Sequence, residues 1–251
     1  TIWARLQSSK DIMELIMVID ALRRFDPTPI NLVLSYVPYA RQDRVCVPGE
    51  SFSLKAFASI INGLGFQKVT VFDPHSDVTG AVLDHVHIIP QIDIIGKFDA
   101  FNTRLQPTLP ENRPVFVSPD AGANKRTSEL AGFYGHASFI RADKLRDLAT
   151  GKIKEIVVVN PREEIEGRDC IIVDDLCDAG GTFIGLAAAL KAKGARHVEL
   201  YVTHGLFTKG TALLYKGGID AIWTTNSFYD VWPAGISDDV KTLKLEEVYS
   251  L

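Results

Sequence analysis

Short apolar runs alternate with amphipathic stretches along this 251-residue chain. The apolar runs, rich in Val and Ile, predict strands at 30–37, 69–72, 115–117, 138–140, 155–159, 170–173, 197–202 and 221–224. The amphipathic stretches predict helices at Ser9–Phe25, 53–64, 123–132, 182–192 and 210–215. In the first of these, Ile12, Leu15, Ile16, Ile19 and Leu22 fall on one face at helical spacing, and Ser8 or Ser9 is suited to cap it. Strand–helix alternation points to mostly parallel α/β sheets. The number of strands favours two sheets over one. The polar, turn-rich stretch 101–113, with Asn102, Pro107, Pro110, Glu111 and Asn112, reads as a linker. The charged stretch 141–154 reads as a mobile loop or a short, poorly held helix.

Composition narrows the picture a little. Hydrophobic residues make up 46% of the chain, which is long enough to bury about 70–75% of its unfolded surface without a staple. A net charge of −4 implies no broad basic face, so neither nucleic acid nor an anionic membrane is a default partner. Phosphate chemistry, if present, must rest on local basic residues and backbone amides. Cys46, Cys170 and Cys177 form no CxxC pair, which fits a reducing cytoplasmic compartment. No leader peptide and no long apolar run stands out. The chain opens on Thr1-Ile2-Trp3 without an initiator Met, as though the numbering starts inside a longer protein.

The chemistry concentrates at predicted strand ends. The segment from Cys170 to Thr182 reads as a buried strand ending in Asp174 and Asp175, then a turn through Asp178, Ala179, Gly180 and Gly181, then a helix opening at Thr182. Glycines let backbone amides approach an anion, and the helix adds its orphan amides and partial positive charge. Two adjacent acids repel a phosphate. They suit hydroxyl donors, or a hydrated cation bridging to phosphate. An ordinary strand–turn–helix with a solvated acidic edge is the bland alternative.

Other segments follow the same plan. Pro38 to Arg44 offers Arg41 and Arg44 as planar donors, Gln42 as an amide and Asp43 as a counter-charge; it reads equally as a charged loop. His75 lies among Asp73, Ser76 and Asp77 at a strand end, where it suits either a divalent ion or a surface hydrogen bond. Ser118, Pro119, Asp120, Ala121, Gly122 and Ala123 form a turn before a helix carrying Lys125 and Arg126, which read equally as a solvated face. Lys144 and Arg146 sit in the charged stretch, as a cationic clamp or a solubilising loop.

Taken in order, these segments resemble the ribose-phosphate pyrophosphokinase family. The Asp174–Thr182 segment is similar to the phosphoribosyl-binding motif of type I phosphoribosyltransferase folds. Tyr39-Ala40-Arg41-Gln42-Asp43 matches the family's ATP-site stretch without a break. His75 matches its magnesium-ligating His, with Pro74 in place of the usual Leu. Ser118 to Gly122 matches its metal and pyrophosphate loop, with Ala123 where a second Gly is usual. Lys144 and Arg146 match the Lys-x-Arg of its catalytic loop. His204-Gly205-Leu206-Phe207 and Thr224-Thr225-Asn226 resemble the family as well.

The resemblance implies two α/β domains of phosphoribosyltransferase-like fold. The first, with the ATP site, would hold 1–99 plus 232–251; the second, with the phosphoribosyl site, would hold 100–231. It implies transfer of the pyrophosphate of Mg-ATP to the C1 hydroxyl of ribose 5-phosphate, with Mg2+ as cofactor. Arg41, Gln42 and Asp43 would serve ATP, and His75 and Asp120 the metal. Asp120, Ala121, Gly122 and Ala123 would form the pyrophosphate loop. Asp174, Asp175, Asp178, Ala179, Gly180, Gly181 and Thr182 would hold the ribose phosphate, while Lys144 and Arg146 would be catalytic. A homo-oligomer is implied too. The family's first strands, which carry an adenine-binding hairpin, have no counterpart recognised in this chain. Ala179 stands where the family has Thr, which motivates a rival acceptor with a substituted 5-phosphate, such as ADP-ribose. A phosphoribosyltransferase and a non-catalytic regulatory relative are the other rivals. The Arg41–Asp43 and His75 segments argue against the first of these, and the retained Lys144, Arg146, His75 and acid pair against the second.

Overall fold

A computed structural model of the chain describes residues 1–106, 113–135, 139–146 and 153–249. The chain divides into two compact units: Thr1–Ile94 with Ser227–Asp230 and Lys244–Leu251, and Ile95–Asn226 with Val231–Leu243. These bounds differ from the expected ones chiefly because Val231–Leu243 group with the second unit, where Lys241–Leu243 pair as a sheet strand.

In the first unit the described residues form a parallel four-stranded sheet in the order β1 (Ile2–Ala4), β2 (Asn31–Leu34), β3 (Lys68–Phe72) and β4 (Val86–Ile89). Helix α1 (Ser9–Phe25) starts where its capping box predicts: Asp11 N–H donates to the Ser8 hydroxyl, and the Asp11 carboxylate accepts from Ser8 N–H. Its Ile12, Leu15 and Ile19 share a core with Leu54, Phe57, Ala58 and Ile61 of α2 (Ser53–Gly63) and with Leu32, Leu34, Val69 and Val71 of the sheet. Leu22, expected on that face, is exposed. Helix α3 (Val78–Val82) leads into β4, and α4 (Gln91–Gly96) carries the chain out of the unit.

In the second unit the described residues form a seven-stranded sheet. Its order is β11 (Lys241–Leu243), β10 (Ala221–Thr225), β9 (His197–Gly205), β8 (Asp169–Cys177), β5 (Val115–Ser118), β6 (Ile140–Arg146) and β7 (Ile153–Val158). Every pairing is parallel except β6 with β7. Central β8 is apolar on both faces: Ile171, Ile172 and Val173 are fully buried, as a strand covered by helices requires. One side packs Phe183, Leu186, Ala187 and Leu190 of α7 (Gly181–Ala192). Elsewhere in the unit Phe101 of α5 (Asp99–Leu105) stacks on Tyr201 at 5.0 Å and contacts Trp223. Helices α6 (Asn124–Phe133) and α8 (Ala212–Lys216) follow β5 and β9; α9 (Leu245–Val248) belongs to the first unit.

Two expectations are corrected. The start of the supposed linker 101–113 is helix, and Phe101 and Leu105 are buried in it. Its polar residues point to partners rather than to a linker: Asn102 Nδ2 donates to Ile95 O at 2.9 Å, and Arg104 Nε and Nη2 reach Glu199 at 2.6 Å and Asp169 at 2.7 Å. Arg196 Nε joins Asp169 at 2.6 Å, and Trp223 Nε1 donates to Glu199 at 2.7 Å. Residues 107–112 of that stretch lie outside the described residues. The supposed loop 141–154 is largely a β6–β7 antiparallel ladder, from Ala142 opposite Val158 to Arg146 opposite Ile153. Residues 147–152 lie outside the described part. So does residue 138 of the strand expected there.

Candidate active site

In the second unit, the chain runs outward from β5 to β6 and β7 on one side, and from β8 to β9, β10 and β11 on the other. Strand order therefore reverses between β5 and β8, and open α/β sheets bind ligands beyond the carboxyl ends of strands at such a point. The two turns expected to handle phosphate leave these two strands. Val117 pairs with Ile172, so the turns begin side by side.

The turn after β8 is built to a definite shape. Asp174 and Asp175 are successive strand residues and project to opposite faces, yet both reach Arg126 of α6: its Nη1 lies 3.1 Å from Asp175 Oδ1 and 3.6 Å from Asp174 Oδ1. Burial, with the charge of Asp175 and then its hydrogen bond, pushes the Asp174 carboxyl well above the usual range; Arg126 opposes this and Asp120 adds to it. Beyond them Gly180 takes a left-handed conformation (φ 79°), and a Cβ there would sit 2.8 Å from Leu214 Cδ2. Gly180 is the N-cap of α7, and no side chain caps that helix, so its first amides face the turn. Ala179 is exposed. Thr208 braces the turn, donating to Asp178 Oδ1 at 2.6 Å, while Leu206 and Phe207 amides donate to the Cys177 carbonyl. Thus the His204–Phe207 stretch, with His204 buried, supports the turn from β9.

The turn after β5 is held by its own acid. Asp120 Oδ1 accepts from Ala123 N–H at 3.1 Å, and Ser118 Oγ donates to Asp120 O at 2.9 Å. Ala121–Ala123 make a 3-10 turn into α6. Ala123, whose place in a Gly-rich motif raised a question about positive φ, has φ −83° and is buried, so it carries no strain. Arg126 is the residue the sequence reading missed as a partner of the acids. Its position one turn into α6, facing the end of the neighbouring strand, is the signal that identifies it. The backbones of Lys144 and Arg146 lie in β6, beside β5, while their side chains lie outside the described part of the structure.

In the first unit, two segments meet. Tyr39 has φ 62° and Asp73 φ 36°, both rare for residues with a Cβ and both beyond strand ends. Gln42 N–H donates to Tyr39 O, and Ser53 Oγ donates to Gln42 Oε1 at 2.9 Å. Asp43 is buried. The Arg44 guanidinium, 2.9 Å away, holds its carboxyl below the usual range against the cost of burial, and His75 lowers it further. Arg41 and His75 are exposed. Gln91 Nε2 donates to Asp73 Oδ2 at 2.9 Å.

Among the described residues no group of three or more His, Cys, Asp or Glu could hold a metal alone. Magnesium commonly takes only one or two protein carboxylates and completes its shell with water and substrate phosphates. Asp174 and Asp175 supply carboxylates of that kind and fit a cation that arrives with a phosphate. The described residues include no helix long and apolar enough to cross a membrane.

The fold, with two turns side by side where strand order reverses, defines an α/β protein of the phosphoribosyltransferase class. A model of the phosphoribosyl transferase domain matches residues 83–224, more than half the chain, and one of the N-terminal domain of ribose phosphate pyrophosphokinase matches residues 4–65. A ribose-phosphate pyrophosphokinase of Vibrio parahaemolyticus is 32% identical over 96% of this chain and 74% of its own length. One of Vibrio cholerae is 34% identical over 88% and 68%. The crystal structure of phosphoribosylpyrophosphate synthetase from Mycobacterium smegmatis matches with a TM-score of 0.81 at 24% identity, over 98% of this chain and 77% of that one, and shares the fold. The chain belongs to the ribose-phosphate pyrophosphokinase family.

Proposed function

We infer that this chain makes 5-phosphoribosyl 1-pyrophosphate and AMP from ribose 5-phosphate and ATP. The observation that carries the reading is that, where strand order reverses, an acid pair on β8 precedes a turn into a helix with no side-chain cap, beside the turn that follows β5. The 1-hydroxyl of the sugar attacks the β-phosphorus of ATP, the bond from that phosphorus to the α-phosphate bridging oxygen breaks, and AMP leaves. The enzyme's part is positioning and neutralising charge. Asp174 and Asp175 accept hydrogen bonds from the ribose hydroxyls. Amides of Gly180, Gly181 and Thr182 receive the 5-phosphate, with Asp178 and Ala179 shaping the turn. Asp120, Ala121, Gly122 and Ala123 form the pyrophosphate turn. Arg41, Gln42 and Asp43 serve ATP in the first unit.

Magnesium, when bound, would neutralise phosphate charge; His75 is the proposed ligand within the first unit, and Asp120 is the proposed ligand within the second. Lys144 and Arg146 stabilise the transferring group. Exposed Met13, Met17, Val18, Leu22 and Phe25 on α1 support assembly with copies of the same chain. Free Cys46, Cys170 and Cys177 support a reducing, cytoplasmic setting. The exposure of Ala179 supports a second reading, the same transfer to a 5-substituted ribose such as ADP-ribose.

Incubation with Mg-ATP and ribose 5-phosphate, followed by phosphorus NMR, tests the proposal. AMP and a sugar 1-pyrophosphate are expected. Appearance of ADP, or no phosphorus transfer, would contradict it. In the same assay His75→Ala should lower magnesium-dependent turnover while its melting temperature stays unchanged; unchanged turnover and magnesium dependence would remove His75 from the site.

A further inference from the structure

We propose that Arg126 is a positioning residue of this reaction, holding Asp174 and Asp175 in the arrangement that receives the ribose hydroxyls. The inference rests on the reading that these two acids bind the sugar. Arg126 lies on α6, which begins at the end of the pyrophosphate turn, while the acids lie on β8. One guanidinium nitrogen reaches both carboxylates, at 3.1 Å and 3.6 Å. Its side chain is 21% exposed, against 17% and 8% for those of Asp174 and Asp175, so the contact is largely shielded from water.

Adjacent strand residues send their side chains to opposite faces, and two acids there repel each other. A planar guanidinium reaching around the strand end draws the two oxygens toward a common point. Asp175 N–H also donates to Asp174 Oδ1 at 2.9 Å, which fixes the other side of the pair. The two turns are thereby joined: a shift of α6 moves the carboxylates on β8. Arg126 so couples the pyrophosphate turn to the ribose site without touching the sugar itself. A lysine keeps the charge but reaches one carboxylate as a point donor, so it should serve only in part.

Steady-state kinetics on the full chain test this with Arg126→Gln, Arg126→Lys, Asp175→Asn and the Arg126→Gln/Asp175→Asn double variant. Arg126→Gln should raise KM for ribose 5-phosphate about tenfold or more, the scale of one charged hydrogen bond, and leave KM for ATP within about threefold. Arg126→Lys should recover part of the loss. The double variant should be no worse than the poorer single variant, because both changes act on one arrangement. A fall in kcat or a rise in KM for ATP at unchanged KM for ribose 5-phosphate would overturn the proposal, as would effects that multiply. If Asp175→Asn raises KM for ribose 5-phosphate and Arg126→Gln does not, the role of Arg126 alone fails. If Asp175→Asn leaves that KM unchanged, the acid-pair reading fails with it. Should Arg126→Gln not fold by circular dichroism, Arg126→Lys carries the test, with a smaller rise in the same KM expected and no rise overturning the proposal.

Discussion

Strand β8 carries acids near both ends, in opposite electrostatic settings. At its start, Asp169 meets Arg196 and Arg104, and its neighbour Glu199 meets Arg104 and the Trp223 indole. Burial pushes the Asp169 carboxyl up, but the Arg196 hydrogen bond and the charges of Arg104 and Arg196 outweigh it and hold it below the usual range. Five residues on, Asp174 faces Asp175 and Asp120, with Arg126 as the counter-charge, and its carboxyl is raised. The first cluster is neutralised and ties α5, β8, β9 and β10 together. In the second, burial and neighbouring acids outweigh Arg126 and the Asp174 carboxyl is raised, the setting proposed to receive hydroxyl donors or a cation. Acids in one strand thus separate into a brace and a proposed receptor by the groups that surround them.

The largest expected effect lies on β6. Lys144→Ala and Arg146→Ala should each lower kcat about 100-fold or more if their cations stabilise the transferring group, with smaller changes in KM. Rapid-quench and steady-state assays read this. A raised KM at constant kcat would reassign them to substrate binding.

At the brace, Arg104→Ala leaves Asp169 and Glu199 with one cation fewer. It should cost about 3 kcal/mol of stability, as expected for breaking a largely buried pair, with kcat/KM unchanged at temperatures where the variant is folded. Urea denaturation beside kinetics checks both. A stable but inactive variant would move this cluster into the site.

Acid titration sharpens the contrast by sign. The lowered carboxyl of Asp169 contributes stability above its unfolded value of about 3.8, lost as pH falls through its folded value. The raised carboxyl of Asp174 works in reverse: its charge costs stability at neutral pH, and the cost is relieved as pH falls through its folded value toward 3.8. Asp169→Asn should therefore be less stable than the parent at neutral pH, with the gap closing in acid. Asp174→Asn should be as stable or more so at neutral pH. Melting curves across pH decide this, and a neutral-pH loss for Asp174→Asn equal to that of Asp169→Asn would erase the distinction.

The smallest effect concerns the phosphate turn. Ala179→Thr adds a hydroxyl donor worth about 0.5–1.5 kcal/mol, so affinity for ribose 5-phosphate should rise by up to about tenfold. If kcat/KM instead favours ADP-ribose tenfold in the parent chain, the turn serves a larger acceptor.

The strand, turn and helix of the proposed receptor were legible in the sequence because they are contiguous: a buried run, two acids, glycines and a helix within one segment. Helix α1 was legible because its spacing and its cap agree. The brace was not, since Arg104, Asp169, Arg196, Glu199 and Trp223 meet only once the sheet forms. Asn102 and the turn-rich residues after it gave α5 the look of a linker, although Asn102 and Arg104 each have a buried partner. Strands β1, β4 and β11 are three or four residues long at sheet edges, where pairing with a neighbour rather than periodicity decides the structure. Strand β7 was legible from 155 on, but the run of β6 past Ile140 was hidden by its charge, because antiparallel strands tolerate polar residues on an open face.

The most direct test compares the two ends of β8 in one experiment, measuring kcat/KM for ribose 5-phosphate and the melting temperature of Asp175→Asn and Asp169→Asn side by side. Asp175→Asn should lose turnover with little or no fall in melting temperature. Asp169→Asn should lose several degrees, about what 1–2 kcal/mol costs a chain of this size, and keep its turnover when folded. Full turnover in Asp175→Asn, or lost turnover in a stable Asp169→Asn, would contradict the assignment of receptor and brace.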